Sequence, residues 1–140
     1  MTEERTKIAR QFIEALPHCR ALGMELDSIG QGEAEIFMPY SEALIGDPDT
    51  GVIHGGAVSA LMDTCAGASV MSHPKSGAAT ATIDLRIDYM RAAKPGATIT
   101  AHAICYHMTR SVAFVRVSAN DGTSDVPVAA ATGAFTVERM

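Results

Sequence analysis

The chain has 140 residues, 47% of them hydrophobic and 19% charged, with a net charge of −5. That length suits one domain with a real core, and the balance is that of a globular protein rather than a disordered or fibrous one. The acidic total, the absence of Trp and the lack of a Lys/Arg cluster argue against nucleic acid as a partner, and no apolar run approaches the roughly 20 residues of a membrane span.

In chain order, the N-terminal stretch MTEERTKIARQF is charged and lacks the apolar centre of a signal peptide, so a cytoplasmic location is expected. Ile8, Phe12, Ile13 and Leu16 recur at helical spacing, which predicts a helix over about residues 3–16, ending before Pro17. Residues 22–29 and 32–38 read as strands around a turn marked by Gly30 and Gly32, and SEALIGDPDTG reads as a loop. VIHGGAVSALMDTCAGASVM, residues 52–71, reads as a buried helix opened by a His-Gly-Gly turn and stopped by SHPKSG.

The period then changes to two. In TIDLRIDYM, Ile83, Leu85, Ile87 and Tyr89 alternate with Thr82, Asp84, Arg86 and Asp88, as in a half-buried strand. In ATITAHAICYHM, Ile99, Ala101, Ala103 and Cys105 share one face, and the same alternation puts His102 and His107 on opposite faces. SVAFVRVSAN, a turn at DGTSD and VPVAAATGAFTVER supply the last strands. The expected class is therefore α+β: one domain spanning 1–140, with a largely antiparallel sheet around one long apolar helix.

Asp63 is the exception on that helix. At 100° per residue, Val58, Leu61, Met62 and Cys65 form a core side, whereas Gly56, Ala60, Asp63 and Gly67 form the other, flanked by Ser59. Either this face is partly solvated and Asp63 points at water, as a lone helix Asp commonly does, or the near-bare backbone marks a groove or the close approach of a second helix. A solvated face normally carries Glu, Lys and Gln rather than glycine and alanine, which speaks for the second reading. The N–H groups opening the helix have no intrahelical partner, and a glycine lets a ligand oxygen come close to them, although His-Gly-Gly reads equally well as a tight loop-to-helix entry. Gly55 and Asp63 are separated by eight residues, about 12 Å along the axis. A reacting carbonyl needs its oxyanion donor and its nucleophile or base each at about 3 Å. One chain cannot supply both to one substrate, but two antiparallel helices related by a two-fold axis can. Cys19, Cys65 and Cys105 are widely spaced and no CxxC or Cys/His cluster appears, so neither a disulfide framework nor a zinc site is expected. With Asp63 and Gly55 as the reacting groups and no ligand cluster, the expected chemistry uses no metal or cofactor.

GVIHGG, with Asp63 nine residues after His54, followed by TIDLRIDYMRAAKPG, resembles the hotdog-fold acyl-CoA thioesterases, in particular their PaaI-like, phenylacetate-pathway branch. The likeness covers about residues 20–138. It implies a hotdog fold, a homodimer or a homotetramer built as a dimer of dimers, and hydrolysis of an acyl-CoA thioester. It implies that the N–H of Gly55 holds the thioester carbonyl, with Gly56 beside it. Asp63 from the other subunit is then the nucleophile or general base, and Thr82 helps hold the attacking water. His54 is expected to hydrogen-bond its own loop. Related enzymes carry an Asn six residues before the His; Pro48 stands there in this chain, and Asp47 is the candidate to take over the role. Arg91, Lys94 and Arg110 are candidates for the CoA phosphates. The alternatives are a non-catalytic acyl-CoA-binding hotdog protein and a hotdog dehydratase or hydratase. Dehydratases of this fold pair a His with an acidic residue on the helix, whereas His54 precedes the helix. These residues do not decide between an aryl and a medium aliphatic acyl group.

Overall fold

A computed structural model describes residues 3–77 and 79–138, apart from the Arg5 side chain. Helices α1 (Glu3–Ala15) and α2 (Pro17–Leu22) lead into strands β1 (Glu25–Gly30) and β2 (Glu33–Met38). A short 3-10 turn (Glu42–Leu44) precedes a small hairpin, β3 (Ile45–Asp47) and β4 (Val52–Ile53). Then come α3 (Gly55–Ser72), β5 (Thr82–Tyr89), β6 (Ile99–Met108), β7 (Val112–Asn120) and β8 (Ala129–Thr136). Pro17 was expected as a stop and is also a start, since it opens α2 at a position where its missing N–H costs nothing. This is why β1 begins at Glu25 rather than near residue 22.

Six strands form one antiparallel sheet in the order β1-β2-β6-β7-β8-β5, and α3 packs on one face of it. The core side read from the helical wheel is buried: Val58, Leu61, Met62 and Cys65 are each at most 2% exposed. Opposite them lie Ile36, Met38, Ile99 and Val115, with Ala101, Ala103, Ala113 and Ala119 between. Those small side chains let the helix lie close to the sheet, and truncating Leu61 to Ala there costs roughly 2 to 5 kcal/mol. No helix among the described residues is long and apolar enough to cross a membrane.

The two outer strands differ. Along β1, α1 occupies the edge: Glu14 accepts from the Leu26 N–H at 3.0 Å, and Arg10 donates to the Leu26 carbonyl at 3.2 Å. Only Ile13 of the α1 apolar positions is buried, while Ile8 and Phe12 face outward. At the other end of the sheet, β5 pairs with β8 alone among the described residues.

Bulges change two expectations of alternation. Cys105 and Tyr106 together oppose Val115 on β7, so His107 comes opposite Phe114 and the two rings stack. His107 therefore shares the outer face with His102, contrary to the expected opposite faces. In β5, Thr82 pairs with Phe135 and Asp84 with Ala134, leaving Ile83 as the extra residue. That insertion turns Thr82 onto the same inward face as Leu85, Ile87 and Tyr89.

Candidate active site

His54 caps α3 from an extended backbone conformation. Its Nδ1 accepts from the Gly56 N–H at 2.7 Å, and its carbonyl accepts from the Ala57 N–H at 3.0 Å. A backbone N–H can only donate, so Nδ1 carries the lone pair and the neutral ring holds its proton on Nε2. The Val58 N–H also points at the His54 carbonyl, at 3.5 Å. Of the N–H groups opening the helix, that of Gly55 has no partner among the described residues. It stands exposed at the positive end of an 18-residue helix.

The loop before the helix holds this entry in place. The His54 N–H donates to the Leu44 carbonyl at 2.8 Å, and β3 passes so close that a Cβ on Gly46 would lie 2.7 Å from His54 Cα. Gly46 is thus a residue that sequence reasoning missed; its requirement arises from a neighbour eight residues away and leaves no local pattern. Asp47 spends its carboxylate inside its own turn, accepting from the Asp49 N–H at 3.0 Å and the Thr50 hydroxyl at 2.9 Å.

Asp63 is half-buried in the middle of α3, on the bare side with Ser59, Ala60 and Gly67. Its Oδ1 accepts from the Thr82 hydroxyl at 2.8 Å, and no cation pairs with it among the described residues. The Ile83 bulge makes this contact, because strict alternation would point Thr82 away from the helix. At the other end of β5, the Tyr89 hydroxyl donates to the Gly55 carbonyl at 2.8 Å. Tyr89 also walls an apolar hollow of about 310 Å³ that reaches Gly55, together with Val52, Ile53, Val58, Met90 and Val128. The sequence placed Tyr89 on the correct face of its strand; its hydroxyl contact was missed.

The three candidate cations differ. Arg91 grips the buried Asp121 through two bonds of 2.7 and 2.8 Å and also donates to the Val126 carbonyl. Its guanidinium beside Asp121 holds that carboxyl well below the usual carboxylate range. The structure therefore gives Arg91 to a tie between the segment after β5 and the turn after β7. Lys94 adds its backbone N–H to Asp121 at 2.9 Å, with its side chain exposed, and Arg110 is exposed in the turn between β6 and β7. Among the described residues, no three His, Cys, Asp or Glu side chains converge as a metal site would require.

Known proteins extend this picture. Residues 50–128, more than half of the chain, match the family model described as the thioesterase superfamily. The medium/long-chain acyl-CoA thioesterase YigI of Escherichia coli is 26% identical over 143 aligned positions, covering 93% of this chain and 91% of YigI. A crystal structure of a Pseudomonas aeruginosa protein superposes with a TM-score of 0.83 at 38% identity, covering 95% of this chain and 98% of that one. A variant of the phenylacetic acid degradation protein PaaI from Thermus thermophilus superposes with a TM-score of 0.76 at 26% identity, covering 89% of this chain and all of that one. The expected hotdog fold and PaaI-like resemblance both hold.

Proposed function

The chain belongs to the thioesterase superfamily, and from that premise we propose that it hydrolyses the thioester of an aryl- or medium-chain acyl-CoA to the free acid and CoA. One observation carries the reading. Among the described residues, a single helix bears an unpartnered backbone donor at Gly55 and, at Asp63, a carboxylate bonded by a hydroxyl instead of a cation.

In this reading the Gly55 N–H receives the carbonyl oxygen as it becomes an oxyanion. Asp63, as general base, takes a proton from water, whose oxygen attacks the carbonyl carbon. The C–S bond then breaks, and CoA leaves as a thiolate that takes up a proton. Thr82 spends its own proton on Asp63, so its oxygen is left to accept from the attacking water. As a nucleophile, Asp63 would form an acyl anhydride that water then cleaves to the same products. The reaction needs no metal or nucleotide cofactor beyond the CoA of the substrate.

The two groups belong to different subunits of a homodimer, which four chains extend to a dimer of dimers. On the unbroken α3, Gly55 and Asp63 are about 12 Å apart, too far to meet one carbonyl. The bare β5 edge carries Ile83, Tyr89 and Met90, each at least 50% exposed. A two-fold axis normal to the sheet at that edge pairs β5 with its copy and sets the two α3 helices side by side and antiparallel. The donor end of one helix then faces Asp63 of the other.

Thiol release from phenylacetyl-, benzoyl-, hexanoyl- and palmitoyl-CoA tests the reading, without added metal and with Asp63→Asn alongside. Turnover of at least one thioester, lost in the variant, is expected. Tight binding of acyl-CoA without thiol release would favour a carrier over an enzyme.

A further inference from the structure

We propose that Tyr89 is a positioning residue that fixes the orientation of the oxyanion donor, an inference that rests on the role of Gly55 given above. Gly55 has no Cβ and is the freest kind of backbone, so an N–H on it holds one direction only if both flanking peptide planes are anchored. The preceding plane is anchored where the His54 carbonyl accepts from Ala57. Beyond its place in the helix ladder, the following plane has two side-chain anchors: its N–H, on Gly56, bonds His54 Nδ1, and its carbonyl, on Gly55, accepts from Tyr89 at 2.8 Å. Among the described residues, the phenol supplies the one hydrogen bond that ties this peptide to the main sheet.

The aromatic ring alone does not account for Tyr89. A phenylalanine would wall the hollow and cover the β5 edge equally well. The hydroxyl is what distinguishes it, and its partner is the peptide that follows the donor. Thr82 and Tyr89 share the inward face of β5, so one strand holds the carboxylate at one end and the donor at the other. In the two-fold assembly, a site takes its Thr82–Asp63 pair from one chain and its Tyr89–Gly55 pair from the other.

Tyr89→Phe keeps ring and volume and removes the bond. We expect kcat to fall about tenfold, a fraction of the hundredfold to thousandfold attributed to a whole oxyanion donor. KM should stay within about twofold and the melting temperature within about 5 °C, since a single hydrogen bond contributes little net stability. The amide resonances of Gly55 and Gly56 should shift or broaden, while those of Asp63 and Thr82 hold. Wild-type kcat in the variant, or a loss of kcat matched by a loss of folded protein, would overturn the inference. An active wild type, an inactive Asp63→Asn and an unaffected Tyr89→Phe would sink this inference alone. A wild type that releases no thiol would sink the functional reading and this inference with it.

Discussion

The Thr82 hydroxyl reaches Asp63 Oδ1 at 2.8 Å from a strand position that simple alternation would turn away from the helix. The bulge at Ile83 creates that contact, so the hydroxyl was placed for the helix rather than left over from a sheet face. Thr82→Ala should lower kcat by about tenfold to a hundredfold, a modest share of what general-base catalysis contributes. Thr82→Ser should retain most of the rate. Steady-state kinetics of both variants is the check, and an unimpaired alanine variant would return Thr82 to a structural role.

The proposed two-chain site makes a quantitative claim about mixed dimers. Asp63→Asn removes the base and Gly55→Pro removes the donor N–H, so each pure variant should be inactive; folding of the proline variant is checked by circular dichroism. Unfolding and refolding the two together should give about half heterodimers, each with one doubly defective site and one intact site. Roughly a quarter of wild-type activity should return. No recovery with heterodimers present would falsify the two-chain arrangement.

Much of this site is legible in the sequence, and the rest is hidden for identifiable reasons. The α3 wheel separates buried Leu61 and Cys65 from half-buried Asp63 because one face meets the sheet along its whole length. The spacing of Gly55 and Asp63 carries over unchanged because the helix is unbroken. The faces of Thr82 and His107 do not follow from period-two counting, because a bulge is one extra residue with no side-chain signature of its own. Arg91 reads as a candidate phosphate ligand until Asp121, thirty residues later in the chain, is seen to occupy its guanidinium. Partners so distant in sequence are invisible to local patterns.

The Arg91–Asp121 tie should show in the pH dependence of stability. Its folded carboxyl lies below the unfolded value of about 4, so it stabilises the fold above that pH, and the contribution fades as pH falls toward the folded value. Asp121→Asn should lower the melting temperature at pH 7 by roughly 5 to 10 °C, as expected for breaking a pair whose carboxylate is buried and whose guanidinium is partly exposed. The gap to wild type should narrow as the medium is acidified below about pH 4. Calorimetry over that range is the check, and a constant gap would mean that charge is not its source.

The cysteines bear on how activity is measured. Burial pushes the Cys65 thiol up to about 12 and raises Cys19 and Cys105 as well. All three are at most 5% exposed. The native protein at pH 8 should therefore react slowly with a thiol dye, with well under one equivalent per chain during an assay, and three equivalents should appear on denaturation. Rapid native labelling would show that the sheet opens on that timescale.

The unequal edges of the sheet set the number of molecules that strand pairing can join. Each free edge acts as a valence: a sheet with two adds copies without limit and grows toward a fibre, whereas a sheet with one is satisfied by a single partner. Arg10 and Glu14 hold the β1 backbone at Leu26 and leave β5 as the single free valence among the described residues, so edge association is expected to close at two chains. Removing residues 1–16 would restore the second valence. Light scattering of that truncated protein should then grow with concentration and time, whereas the full chain keeps a fixed mass. On that outcome α1 would be a chain terminator, a role independent of the chemistry at Asp63.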